Sequence, residues 1–243
     1  MTRWQDLTWP EVAGAVARTP YVLLPFGAIE EHGPHLPLGT DALAAESLAG
    51  RISAGADLIE LPVMPYGQVW SLEHFDGSLS VDDETLVAMI LGIAEGLERT
   101  GVRGIVLLSA HLGNAAALKK AARALEERGG IAAIALTYPG LAAVAAQVRE
   151  SPQSHPAIMH ADELETSIML ALHPEVVRME HAVSEYPEYP AHFDVAAVRW
   201  DTVSDTGVFG DATAATAGKG EAIVDHVTAT AVTLIQGWKK AMA

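Results

Sequence analysis

Between residues 24 and 41 the chain reads LPFGAIEEHGPHLPLGTD, and no other stretch constrains it as much. Glu30, Glu31, His32, His35 and Asp41 fall here among three prolines and three glycines, with no lysine or arginine. Pro and Gly at that density forbid a regular helix, so these ligand-type side chains must be carried on a rigid loop. Carboxylates and imidazoles crowded on such a loop predict a site for a divalent metal. The segment before it, 21–26, is apolar and strand-like, which predicts that the loop leaves the end of a buried strand.

Composition narrows the ligand chemistry. The chain has 243 residues and no cysteine, which removes disulfides, thiolate ligands and a cysteine nucleophile together. A metal must then be held by His, Asp and Glu, a donor set suited to Zn, Mn or Fe(II). Thirty-one acidic against fifteen basic residues leave a formal charge of −16. Such a field repels phosphate backbones and anionic membranes, so neither nucleic acid nor membrane is an expected partner. The opening MTRWQDLTWPEVAGAVART lacks the apolar run of a secretion signal, and no window carries the roughly 18 apolar residues of a membrane span. A cytoplasmic protein with a small-molecule substrate is the expectation.

Strand-like runs at 21–26, 58–64, 102–109 and 131–137 alternate with helical patterns at 10–18, 42–52, 82–98, 115–127 and 141–149. That alternation predicts an α/β domain with a largely parallel sheet, spanning 1–243 without linker or repeat. Thr40 or Asp41 would cap the second helix, and as a cap Asp41 competes with its own use as a ligand. His111 follows the continuous apolar run 105–108 and so falls at the carboxyl end of a central strand, where open α/β sheets bind ligands. His160 precedes a helical segment, 161–172, in which Glu163 and Glu165 cannot share a face because they are two residues apart. Residues 173–200 read as an irregular excursion ending in an edge strand at 194–200, and 214–240 as a long closing helix. Trp70, Glu73 and His74 lie in the loop after the second strand, where substrate contacts are expected.

Taken together, these segments resemble the creatininase (creatinine amidohydrolase) family. Residues 30–41, Glu-x-His-Gly-Pro-His-Leu-Pro-Leu-Gly-Thr-Asp, look like its signature. His111-Leu112-Gly113-Asn114 is similar to its strand-end His-Gly-Gly-Asn turn, and residues 160–167 to its His-Ala-Gly-x-x-Glu-Thr-Ser helix. Order and spacing agree from about residue 20 to residue 235.

The resemblance implies a three-layer α/β/α creatininase-like fold and two divalent metal ions per chain, Zn, Mn or Fe. It places Glu30 and His111 on one metal, His32 on the other and Asp41 between them. His160 would serve as general acid or base. Glu163 or Glu165, with Glu165 favoured, would complete the second metal or orient His160, so Glu165 stands as both a ligand and a catalytic candidate. Trp70, Glu73 and His74 would line the substrate site, and His35 would support the ligands from behind. The implied activity is hydrolysis of a small non-peptide amide, cyclic or formyl, by a hydroxide bridging the metals. A lactone hydrolase with the same centre, or a metal-binding member without catalysis, are the alternatives. Creatininase proper carries a metal-binding glutamate where this chain has Gly113, so the chain is closer to the His-x-Gly-Asn members. The family also implies a homo-oligomer, with a hexamer as one form, and 185–193 is a candidate interface.

Overall fold

The computed structural model describes residues 2–242. Five parallel strands form the central sheet in the order β1-β3-β2-β4-β5: Thr2–Arg3 (β1), Tyr21–Phe26 (β2), Ile59–Glu60 (β3), Gly104–Ser109 (β4) and Ala132–Thr137 (β5). β2 and β4 are buried along their whole length, as strands covered on both faces must be. Their alternating side chains divide between two cores. Val22, Leu24, Phe26, Ile105 and Leu107 pack with helices Trp9–Arg18 (α1), Asp83–Arg99 (α3) and Ala115–Arg128 (α4). Tyr21, Leu23, Val106 and Leu108 face Thr40–Ala56 (α2), Leu141–Val148 (α5), Glu163–Leu172 (α6) and Ala217–Ala241 (α7). The result is the three-layer α/β/α arrangement with a parallel sheet that the alternation of elements predicts.

Local chemistry sets the helix boundaries. Thr8 and Glu11 form a capping box at the start of α1, with Pro10 in its first turn. Asp82 accepts from the Thr85 amide at 2.7 Å and starts α3. Neither Thr40 nor Asp41 caps α2: the N-cap is Gly39, and the Thr40 hydroxyl donates to the Pro37 carbonyl at 2.7 Å. Asp41 therefore sits within the first turn with its carboxylate free for other partners. α6 begins at Glu163 and not at 161, because Ala161 has φ 50° and Asp162 takes the cap position, accepting from Leu164 N at 2.9 Å and Glu165 N at 3.2 Å.

One strand is unforeseen and two sequence expectations fail here. β1 carries no apolar signature, since it is two residues long and pairs only with β3. The run 58–64 contributes just two ladder residues and an isolated bridge, Phe26 to Met64. The edge strand expected at 194–200 is absent: Phe193, Val195 and Ala196 amides bond to carbonyls within 190–192, and Trp200 N donates to Ser71 O at 2.8 Å. These backbone groups are satisfied by local turns and by the 68–80 loop, which leaves nothing for a sheet. The excursion instead adds Tyr189, Phe193, Trp200 and Val203 to a small apolar cluster around Phe209 and Leu72, over the carboxyl ends of the strands. A short antiparallel pair, Ser184–Glu185 (β6) and Gly210–Asp211 (β7), fastens its two ends.

α6 and α7 pack closely at Gly220. A Cβ there would overlap the Ser167 carbonyl oxygen and press on the Ala171 methyl. Gly220→Ala is expected to destabilise the fold by about 1–3 kcal/mol through forced separation of the two helices. Urea denaturation followed by circular dichroism measures this; an unchanged midpoint would show that α6 and α7 can part at no cost.

Candidate metal centre

The carboxyl ends of β2 and β4 and the start of α6 deliver the predicted side chains to one place. Glu30 and His32 come from the loop after β2, Asp41 from the first turn of α2, His111 from the residues after β4, and His160 and Glu165 from the approach to α6 and its first turn. All six are buried. Asp41 lies between two imidazoles, with Oδ1 3.3 Å from His32 Nε2 and Oδ2 3.0 Å from His111 Nδ1. Glu30 Oε2 is 3.2 Å from His111 Nδ1, and Glu165 Oε2 is 3.6 Å from His32 Nε2. Two ligand-type triads follow, Glu30–Asp41–His111 and His32–Asp41–Glu165, with Asp41 in both; Glu30, His32 and His160 form a third grouping.

The outer nitrogens fix how the rings present themselves. His111 Nε2–H donates to the Gln68 carbonyl at 2.6 Å, which leaves Nδ1 turned to the carboxylates. His32 Nδ1–H donates to the Glu30 carbonyl at 3.1 Å, which leaves Nε2 turned inward. A carbonyl can only accept, so these bonds set the tautomer each neutral ring must adopt. The inward atoms Glu30 Oε2, His32 Nε2 and Asp41 Oδ2 are buried without a hydrogen-bond partner. Orphaned buried donor atoms converging from His and carboxylate side chains, each ring steadied from behind, fit divalent cations of the Zn or Mn kind.

Glu163 and Glu165 separate as two residues two apart on a helix must. Glu163 points away from the centre, where its carboxylate takes the Ser151 amide at 2.8 Å and Lys219 Nζ at 2.6 Å. Glu165 Oε2 faces His32 and also accepts from the Ala161 amide at 2.6 Å, a bond that accompanies the left-handed Ala161 conformation. Neither glutamate orients His160. That partner is Glu31, whose Oε1 lies 3.0 Å from His160 Nε2, leaving His160 Nδ1 3.7 Å from Glu30 Oε2. Glu31 stands inside the opening stretch and could have been read as this partner, but its distance of 129 residues from His160 hides the pairing. His35 stands behind the centre, its Nε2 2.8 Å from the Thr166 hydroxyl. Burial, followed by repulsion from His32, lowers its pKa to about 4, so it is neutral at physiological pH.

A cavity of about 200 Å³ opens onto Glu30, Asp41, His111, His160 and Glu165, and its outer wall includes Ser71, Gly113 and Trp200. The Trp200 and His160 rings meet edge-on at 6.1 Å. Trp70, Glu73 and His74, expected to contact substrate, do not line this cavity. They hold the segment that does: Glu73 Oε1 pairs with Arg199 at 2.7 Å, the Arg199 guanidinium stacks 4.7 Å over Trp70, and His74 Nδ1 meets Asp201 Oδ2 at 2.8 Å. Trp200 lies between the two anchors, and nothing in the local sequence pattern marks it.

A buried cluster of His and carboxylate residues at the strand ends of a parallel α/β sheet is an arrangement that can bind divalent metal. Comparison with known proteins agrees. The model of the family described as creatinine amidohydrolase matches residues 5–235. A creatinine amidohydrolase from Pseudomonas putida is 29% identical, with 90% of each chain covered. A mycofactocin precursor peptide peptidase from Mycolicibacterium smegmatis is 30% identical, covering 90% of this chain and 86% of its own. Among solved structures, a creatininase described with Mn superposes with TM-score 0.85 at 28% identity, covering 97% of this chain and 98% of that one. A Zn–Zn form of a creatininase mutant gives 0.85 at 29% identity and 97% of both chains. The protein belongs to the creatininase family of hydrolases.

Protonation of the metal-free centre follows from its geometry. Burial pushes the His32 and His111 imidazoles down, but facing carboxylates, Asp41 and Glu165 for His32 and Glu30 and Asp41 for His111, drive both well above the ordinary value. A folded pKa above the unfolded value of about 6.5 gives stability that is full below that pH and lost as pH rises through the folded value. The thermal midpoint of chelator-treated protein should therefore fall as pH is raised above about 6.5. Protein loaded with Zn or Mn should hold its midpoint, since the cation replaces the protons. A chelated midpoint that stays level or climbs over this range would show that imidazolium does not balance these carboxylates.

Proposed function

We propose that the protein is a dinuclear metallohydrolase that cleaves the C–N bond of an amide. One observation carries the reading: each oxygen of the buried Asp41 carboxylate faces a different imidazole, His32 at 3.3 Å and His111 at 3.0 Å. In this reading Glu30, Asp41 and His111 hold one cation and His32, Asp41 and Glu165 the other. Zn, Mn or Fe bound there supplies water acidic enough to attack near neutral pH, together with polarisation of the scissile carbonyl.

The chain's own residues do the rest. Glu31 fixes the His160 ring through Nε2, so the other nitrogen faces the cavity and can hand a proton to the leaving nitrogen. Burial and then His32 lower the His160 pKa, while the Glu31 hydrogen bond and the Glu30 charge outweigh them and raise it. That balance keeps a proton available at the pH where the water is active. Trp200 closes one side and limits water around the reacting group. The substrate class includes cyclic amides and formamides, and it extends to peptide bonds because one relative is described as a peptidase.

Metal analysis with a hydrolysis screen tests the proposal. Wild-type protein should carry two equivalents per chain, and Asp41→Ala should lose both along with turnover of formamides, cyclic amides or short peptides. One tightly held equivalent and no turnover of any amide would sink it, and turnover restricted to lactones would move the assignment to ester chemistry. Glu31→Gln should retain the metals but lower the His160 pKa, shifting the acid-requiring limb of the pH–rate profile to lower pH. An unshifted profile would remove His160 as the proton donor.

A further inference from the structure

Beside the metal cavity lies a larger space of about 530 Å³, between α5 and residues 151–159. Leu112, Ala157 and Met159 line both, so the two spaces adjoin. Its walls are largely apolar, including Leu141, Ala145 and Leu164, and they carry one cation, Arg149. The Arg149 side chain is 12% exposed, with Nη2 2.9 Å from Asp162 Oδ2. Its Nη1 is buried without a hydrogen-bond partner.

The backbone that follows Arg149 is held in place. The next two amides, Glu150 N and Ser151 N, donate to the Glu163 carboxylate at 3.0 and 2.8 Å, and Lys219 pins that carboxylate at 2.6 Å. Asp162 is itself committed, because its Oδ1 caps α6. Arg149 thus makes one ion contact, to Asp162, and lines the chamber from a fixed stretch of backbone. A planar fork of N–H groups is the geometry that recognises a carboxylate. The overall charge of −16 repels anions, so an anion that reaches this space needs a fixed local cation.

We propose that this chamber is the distal arm of the substrate site and selects amides whose apolar stem ends in a carboxylate, with Arg149 binding that carboxylate while the scissile amide lies in the metal cavity. The assignment rests on the amide-hydrolase reading of the centre. A cavity of about 200 Å³ accommodates the reacting group and little more, so a larger substrate must enter the adjoining space. Both an N-acyl amino acid and the carboxyl end of a peptide have this chemistry.

Isothermal titration of the metal-loaded protein with four probes tests it: N-acetyl-leucine, N-acetyl-leucinamide, the tripeptide Ala-Ala-Leu and its C-terminal amide. Each acid should bind at least about tenfold more tightly than its amide, as expected for a charged hydrogen bond. Arg149→Gln should abolish that preference. Ala146→Phe, a change at an exposed wall residue, should weaken both members of each pair and covers the case in which the Arg149 variant does not fold. The preference should persist in Asp41→Ala, whose metal content tests the hydrolase reading separately. Tighter binding of the tripeptide or of the N-acyl acid tells the two sources apart. Equal binding of acid and amide, no binding by any probe, or a preference that survives Arg149→Gln overturns the proposal. A preference that vanishes in Asp41→Ala overturns it too, by placing the carboxylate on the metals. A purely structural Arg149, serving only to hold Asp162, would not distinguish acid from amide.

Discussion

Three buried carboxylates, Glu30, Asp41 and Glu165, share one pocket in which the facing groups are imidazoles, with no ammonium or guanidinium in the ligand sets. Removing several anions from water costs several kcal/mol each unless cations answer them. Protons on His32 and His111 can do so when the metals are absent, and the raised pKa values of both rings record it. Divalent cations would do it better, because they would also engage the orphaned oxygens and the inward nitrogens. Much of the surrounding structure exists to keep these charges where they are. The first turn of α2 places Asp41 at the positive end of a helix, which favours its ionised form. The β4 end and the 68–80 loop share the His111–Gln68 hydrogen bond, so the ring cannot turn its Nδ1 away without breaking it.

The parts of this arrangement that were legible in the sequence are those written by local chemistry. β2 and β4 announce themselves as uninterrupted apolar runs, and the 3.6-residue period marks α3 with Leu86, Ile90 and Leu97 inside. The ligand types of the opening loop were legible for the same reason, since they stand together within one short Pro- and Gly-rich segment. What stayed hidden depends on contacts between distant segments. β1 is a strand only because β3 lies beside it. Residues 194–200 have the composition of an edge strand but spend their backbone groups on turns and on Ser71. The Glu163 and Glu165 alternative closes only once the rotation of α6 is known, because the sequence establishes that they diverge and not which one faces inward.

Trp70, Glu73 and His74 show how residues of an expected region can turn away from the cavity itself. Their loop does rim the site, yet each side chain turns to the 199–201 segment and anchors it. Trp200 then reaches the cavity wall. A pattern search over consecutive residues finds the anchors, which are polar and clustered, and misses the isolated tryptophan they hold.

The glycine at position 113 bears on how the centre is completed. A Cβ at Gly113 would collide with His111 Nε2 and the Gln68 carbonyl, the two ends of the bond that orients His111. A carboxylate carried from that turn is therefore incompatible with the ring position seen here, and in the proposed dinuclear reading the His32–Asp41 pair takes its third donor from elsewhere. Glu165 stands in that place, 3.6 Å from His32, but it comes from α6 and not from the sheet. Its position follows from the Asp162 cap, from the left-handed Ala161 and from the seating of α6 on α7 at Gly220. The Glu30–Asp41–His111 triad is built on the rigid β2 and β4 ends, whereas the His32–Asp41–Glu165 triad depends on helix packing. In the proposed dinuclear reading, occupancy of the second should consequently be the more sensitive to anything that loosens the α6–α7 contact, even though both share Asp41.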